Sequence, residues 1–207
     1  MKLFVKIVFS ISLSLVLILL SVQVVTTKPY MRINHNLYER HDEITWDYDF
    51  AMDNIVDYLN GKRDNLYFGD SIEMSNILMT ERGMEHMVDV KVLYQSGKVI
   101  LSICAVFVAI TGVFLWDRRE LWKTLTRLWI FPLVFIGTIT ISMVIDFSWT
   151  FTKFHELLFS NNLWQLSWDD PLLVMLPIPF FFVTAITIVV ISVLLHSIAI
   201  VLAYKKK

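Results

Sequence analysis

Apolar residues in this chain concentrate in four long runs, at about 7–25, 99–116, 128–145 and 180–203. Each approaches the ~20 predominantly apolar residues a helix needs to cross a bilayer core, where no backbone polar group can be left unpaired. Pro177 and Pro179 stand at the start of the fourth run, where a helix tolerates proline best. Lys2 and Lys6 ahead of the first run look like the basic end of a secretory signal. That run is long, however, and Val22-Gln-Val-Val-Thr26 stands where an Ala-x-Ala-like cleavage site would be needed, so it reads as an uncleaved anchor.

Between the runs the period changes. Trp46, Phe50, Ile55, Val56 and Leu59 predict an amphipathic helix over 43–60. Gly61 would stop it, and Asp47, Asp49, Asp53 and Asp57 would sit on its wet faces. A second helix is expected from near Met84, after Gly83, into the second run, with an irregular stretch around Tyr67, Phe68 and Gly69 between the two. From Phe147 onward, helical spacing puts Phe147, Phe151, Phe154, His155 and Leu158 on one stripe, with Trp149, Trp164 and Trp168 nearby. This suggests a helix in the membrane interface. An interfacial aromatic belt explains the tryptophans but not the ionisable His155 on the greasy stripe.

The expected fold is an all-α integral membrane protein with four transmembrane helices and a small extracellular, mainly helical cap. The cap would be drawn from 27–98 and 147–176, too little chain for a large core of its own, so 1–207 reads as a single membrane domain.

Composition agrees: 56% of the 207 residues are hydrophobic, more than one soluble domain of this size could hide. The net charge of −1 gives no reason to expect nucleic acid. Its distribution sets direction. Lys2, Lys6, Arg118, Arg119, Lys123, Arg127, Lys205, Lys206 and Lys207 fall on one side, whereas 27–98 carries 8 basic and 13 acidic residues. Both termini are therefore expected in the cytoplasm and the larger loops outside. The single cysteine, Cys104, lies in the second run, which excludes an intramolecular disulfide and a cysteine metal framework. No glycine-rich phosphate loop is present.

The histidines carry the candidate chemistry. His35 and His41 lie among Asn34, Asn36 and Asp42 and read as solvated loop residues, and His196 in the fourth run reads as an interhelical hydrogen bonder. His86 has Asp89 at i+3, so a carboxylate could orient the ring and favour its protonated form. Such pairs are common without catalysis. Zinc on the two histidines with Glu85 or Asp89 is weakly supported, because no His-Glu-x-x-His spacing occurs.

Two separated motifs add to this reading. Glu85-His86-Met87-x-Asp89-Val90-Lys91 is followed far downstream by Phe154-His155-Glu156-Leu157-Leu158-Phe159-x-Asn161-Asn162-x-Trp164, then by Pro177 and Phe180-Phe181-Phe182. In these motifs, their order, the length and the span number, the chain resembles the lipoprotein intramolecular transacylases of Gram-positive bacteria. Ser167-Trp168-Asp169-Asp170-Pro171 departs from the Leu-Asp-Pro-type turn expected after the tryptophan.

The resemblance implies a membrane acyltransferase of the bacterial plasma membrane, acting at its outer face among membrane lipid. Its substrates would be diacylglyceryl lipoproteins, whose sn-2 acyl chain moves to the α-amino group of the N-terminal cysteine, leaving the lyso form. It also implies His86 and His155 as the catalytic pair. Glu85 and Asp89 would support them, and Trp46, Phe147, Trp149, Phe151, Phe154, Asn162 and Trp164 would hold the substrate in a dry aromatic chamber.

The chemistry fits those residues. Ester-to-amide conversion is downhill, so neither a cofactor nor a metal is expected. An amine of pKa about 7.7–8.0 needs a base tuned near neutrality, and the oxyanion needs a donor. The expected roles are His86 as base, made more basic by Asp89, and His155 as donor. Two other classes remain open at this point: a non-catalytic membrane sensor or accessory protein, and a metal-dependent membrane hydrolase.

Overall fold

The structure, a computed structural model, describes residues 2–36, 48–66, 80–115, 121, 123–126 and 130–205. Its main elements are helices: α1 Lys2–Val25, α2 Lys28–Asn36, α3 Tyr48–Leu59, α4 Glu81–Phe114, α5 Ile130–Ile145, α6 Phe147–Leu158, α7 Pro171–Met175 and α8 Ile178–Lys205. Three of them, α1, α4 and α8, are long and apolar enough to cross a membrane, and α5 is a shorter apolar helix. At 1.5 Å per residue, the 34 residues of α4 extend ~51 Å, well beyond a ~30 Å hydrocarbon core. Its charged residues (Glu81, Arg82, Glu85, Asp89, Lys91 and Lys98) all precede the apolar window that begins near Val99.

Two compact units divide the chain. The first comprises Met1–Gln23, Gly97–Asp146 and Ile186–Lys207. Its burial is inverted relative to a soluble protein. Val113, Val144 and Ile145 are 69%, 68% and 79% exposed, while Ser21, Ser192 and His196 are buried. Lipid tails are as apolar as leucine, so packing and interhelical hydrogen bonds hold such helices together. Ser192 Oγ donates to Ser21 Oγ at 3.0 Å. His196 Nδ1 donates to the Ser192 carbonyl at 2.7 Å, and its Nε2 lies 3.3 Å from Ser14 Oγ. Phe9, Leu115 and Leu125 form this unit's small apolar core. Cys104 is buried in this part of α4.

The second unit comprises Val24–Ser96 and Phe147–Ala185. It has its own core, built on Met31, Met52, Ile55, Met87, Met175 and Phe180 among others. Little apolar surface is available in either outer segment alone; the core forms because both contribute, together with the start of α8.

Here α2 is a helix where a solvated loop was expected, so His35 belongs to a helix; His41 lies outside the described residues. Pro29 stands in the first turn of α2, where proline is tolerated. Tertiary contacts hold the helix. Arg32 donates to both Asp53 oxygens, at 2.9 and 2.7 Å, and Lys28 donates to Asp57 at 2.7 Å. Asp53 and Asp57 are thus ion-paired with α2, beyond the wet-face role their spacing suggested. Buried Asn34 donates to the Phe180 carbonyl and to Thr184 Oγ1, at 3.2 and 2.9 Å. α3 is described from Tyr48 on, so 43–47 of the expected helix, with Trp46 and Asp47, lie outside the described residues, as do Tyr67, Phe68 and Gly69. Gly61 terminates α3 with φ +75°, a conformation only glycine adopts cheaply.

Candidate active site

α4 begins at a hydroxyl cap. Thr80 Oγ1 accepts from the Gly83 amide at 3.0 Å, so the helix starts ahead of Gly83 and not after it. The same hydroxyl donates to Asp170 Oδ2, whose Oδ1 accepts from the Leu172 amide at 2.9 Å. Asp170 is 3% exposed and caps α7, with Pro171 in the first turn. One carboxylate therefore ties the starts of two helices together. A Cβ on Gly83 would lie 3.2 Å from Thr80 Oγ1 and 3.4 Å from Asp170 Oδ1, so glycine lets the capping groups close in without displacement.

That anchored start places His86 on the second turn of α4, beside Met87 in the core of its unit. α6 supplies His155, the buried residue of an otherwise accessible helix. Each histidine is 8% exposed, and their ring centroids lie 6.0 Å apart. Phe159 lies 5.2 Å from His86 and 5.6 Å from His155. Phe151 and Trp164 approach His155 at 4.1 and 5.0 Å. Phe151 in turn touches Phe147 and Phe181, and Phe147 touches Phe182.

The loop after α6 is fastened to α4. Arg82 donates to the Asn162 carbonyl, Asn161 Nδ2 donates to Asp89 Oδ2 at 2.9 Å, and Trp164 Nε1 donates to the Asn161 carbonyl at 3.1 Å.

The two rings differ in their hydrogen bonding. His155 Nδ1 lies 2.7 Å from the Phe151 carbonyl. A carbonyl only accepts, so Nδ1 carries the proton and Nε2 of the neutral ring holds a lone pair. His86 Nδ1 is buried with no hydrogen-bond partner. A buried orphan nitrogen costs about 1–3 kcal/mol.

Burial pushes the His86 pKa down to about 4, with nearby His155 adding to the drop and Asp89 opposing it. Burial also lowers the His155 pKa, against the opposing Phe151 carbonyl. Both rings are therefore neutral at pH 7. Asp89 does raise the basicity of His86, as its spacing suggested, but among the described hydrogen bonds it makes none to the ring. The carboxylate bonds Asn161, and desolvation outweighs its charge.

Of the other expected residues, Phe147, Phe151 and Trp164 join the aromatic group. Trp149 and Phe154 are 55% and 54% exposed, although Phe154 also meets the His155 ring edge-on at 5.6 Å. Glu85 is exposed, and Asn162 contributes its carbonyl to Arg82. Trp46 lies outside the described residues. Phe159, Asn161 and Asp170 were not singled out for the site. Phe159 sits one turn after His155, and Asp170-Pro171 before an apolar run has the form of a helix start, so both signals were available. Among the described residues, no three His, Cys, Asp or Glu side chains come together as a metal site.

The sequence profile of the lipoprotein intramolecular transacylase Lit matches residues 7–181. The chain belongs to that family. It is a multi-pass membrane acyltransferase, and the sensor and hydrolase classes give way to that assignment. No curated protein sequence matches significantly.

Solved structures of the Lit transacylase from Bacillus cereus share the fold. One, 23% identical, covers 99% of this chain and 93% of its own, with TM-score 0.73. Two others carry a histidine substitution. The histidine-to-alanine form is 23% identical over 99% and 93% of the two chains, with TM-score 0.78. The histidine-to-arginine form is 25% identical over 100% and 93%, with TM-score 0.75.

Proposed function

We propose that this transacylase moves the sn-2 acyl chain of a diacylglyceryl lipoprotein onto the α-amino group of its N-terminal cysteine at the His86–His155 pair. The observation that carries the proposal is the meeting of two buried, neutral imidazoles from α4 and α6, 6.0 Å apart, one with an orphan nitrogen. The reaction breaks one ester C–O bond, forms one amide C–N bond and carries one proton from nitrogen to the glyceryl oxygen. Neither an enzyme nucleophile nor a co-reactant is needed, because donor and acceptor sit on one molecule and positioning replaces an encounter.

The tautomer favours roles opposite to those expected from spacing. His155 Nε2 accepts the amine proton and returns it to the departing oxygen, with Nδ1 held by Phe151. His86, kept neutral by burial, donates an N–H to the developing oxyanion. The aromatic side chains around the pair exclude water and hold the glyceryl and lipid parts.

The charge asymmetry supports cytoplasmic termini and a site at the outer face of the plasma membrane. Reporters fused after Lys207 should be active in the cytoplasm, and an externally accessible C-terminus would overturn that orientation. Mass spectrometry of a synthetic diacylated lipopeptide incubated with purified protein tests the reaction. N-acylated lyso product is expected. Release of free fatty acid in its place would identify a hydrolase.

A further inference from the structure

Next to the histidine pair is an open pocket of about 230 Å³ that the acyl-transfer step does not itself account for. Asp89, Asn161, Ser96 and Ser160 give it a polar lining, and Leu93 and Phe159 contribute apolar wall. Phe159 is the ring that touches both His86 and His155, so the pocket adjoins the reacting groups. With ~30 Å³ per water, its volume suits a small polar group and not a full acyl chain.

The carboxylate in this pocket has an incomplete set of partners. Asp89 accepts one hydrogen bond from Asn161, and among the described residues no cation lies within ion-pair distance of it. A carboxylate offers about four lone-pair sites. Asn161 is itself held through its side chain and its backbone: its Oδ1 accepts from the Leu163 amide, and its carbonyl accepts from Trp164 Nε1. The pocket therefore presents a positioned negative charge, walled by apolar side chains, with acceptor capacity left to be filled.

We propose that Asp89, positioned by Asn161, seats the α-ammonium group of the substrate's N-terminal cysteine in this pocket. This rests on the acyl-transfer reading and adds to it a rule of discrimination. The substrate amine, with a pKa near 7.7–8.0, is largely cationic at neutral pH. The product carries an uncharged amide at the same nitrogen and so loses the anchor. Turnover thus abolishes the contact that recruited the substrate, which favours release of the lyso form. Asp89 is a positioning residue in this scheme: it delivers the amine beside His155 and keeps no proton itself. Of the two protons the ammonium loses, one leaves to solvent through the open pocket before attack, and the other passes by way of His155 to the departing glyceryl oxygen.

The test uses full-length protein in detergent or bicelles and two unreactive lipopeptides whose sn-2 ester is replaced by an ether, one with a free α-amine and one N-acetylated. Wild-type protein should bind the free-amine ligand more tightly than the acetylated one. Asp89→Asn should weaken the free-amine ligand roughly ten- to a hundredfold, the range for a charge-assisted hydrogen bond. It should leave the acetylated ligand unchanged, and Asp89→Glu should retain most of the preference. Equal weakening of both ligands, as from a fastening that only holds the loop or from misfolding, would overturn the seat, as would no change in either. If wild-type protein gave no lyso product from the ester-linked lipopeptide, the acyl-transfer reading would fail, and the seat with it. Lyso product formed without the lost preference would overturn the seat alone.

Discussion

His196 and His86 are both buried imidazoles on long helices, one in each unit, and they are built in opposite ways. His196 has both nitrogens within reach of partners, the Ser192 carbonyl and Ser14 Oγ, within a column of serines that includes Ser21. His86 has an orphan Nδ1 and a second imidazole 6.0 Å away. An ionisable ring in an apolar setting is expensive wherever it lies. In the first unit its hydrogen bonds offset that cost and fasten helix to helix. In the second the cost is left standing and calls for an explanation, which the proposed substrate would supply. Burial alone would have ranked the two histidines together. The hydrogen-bond inventory separates them.

The strongest way to break this contrast is to remove the orphaned pair. His155→Ala should lower conversion of the diacylated lipopeptide by ~10²–10⁴, the range for loss of a general base. His86→Ala should cost on the order of 10²–10³, as for a lost oxyanion donor. Because both rings are buried among aromatic side chains, some stability is lost as well, and thermal unfolding should show that each variant is still folded at the assay temperature. Near-normal rates in either variant would sink the two-histidine mechanism.

A smaller effect, on stability, is expected at Asp170. Asp170→Ala removes the cap of α7 and leaves the Thr80 hydroxyl without its acceptor, for a loss of about 1–3 kcal/mol. Exposed Asp169 next to it provides the control, and Asp169→Ala should melt close to wild type. Equal melting points for the two variants would remove Asp170 from its place at the joint start of α4 and α7.

His196→Leu should do the reverse of His155→Ala. Hydrogen bonds between membrane helices average ~0.6 kcal/mol and reach ~1.7. The variant should therefore lose about 1–2 kcal/mol of stability while converting lipopeptide at close to the normal rate. A large loss of activity in protein that remains folded would mean that the satisfied histidine is also functional, and the contrast would fall.

What the sequence showed and what it hid follow the range of the forces involved. The apolar runs are local facts, so the long helices could be read directly. So could the break at Gly61 and the oddity of an ionisable ring at His155 on an apolar stripe. α2 was hidden because it is short and polar, and the groups that hold it, Asp53 and Asp57, lie 21 and 29 positions away. The partner of Asp89 was hidden for the same reason. Spacing of i+3 permits a contact with His86, but Asn161, 72 positions downstream, takes the carboxylate. The arguments for the proposed histidine roles had no sequence signal, because tautomer depends on a backbone carbonyl and pKa on burial, and a sequence displays neither.

A further expected effect is on the pH dependence of stability, and it bears on how His86 is buried. Its pKa in the folded protein is about 4, against an ordinary value of 6.5 that the unfolded chain would show. Between those two pH values the unfolded chain binds the proton and the folded protein does not, so stability rises with pH across the window. The contribution is fully present above pH 6.5, is lost as pH falls toward 4, and is constant below that. His155, lowered by its own burial, adds to the loss in the same direction. Unfolding midpoints measured at pH 7.5 and 5.0 should therefore drop for wild-type protein beyond what its carboxylates cause. His86→Asn, which cannot titrate, should show a smaller drop. Comparing differences between the two pH values cancels any effect of the substitution that does not depend on pH. If wild type and variant lost the same amount, His86 would not be held neutral by burial, and the orphaned nitrogen would have to be solvated in the folded protein.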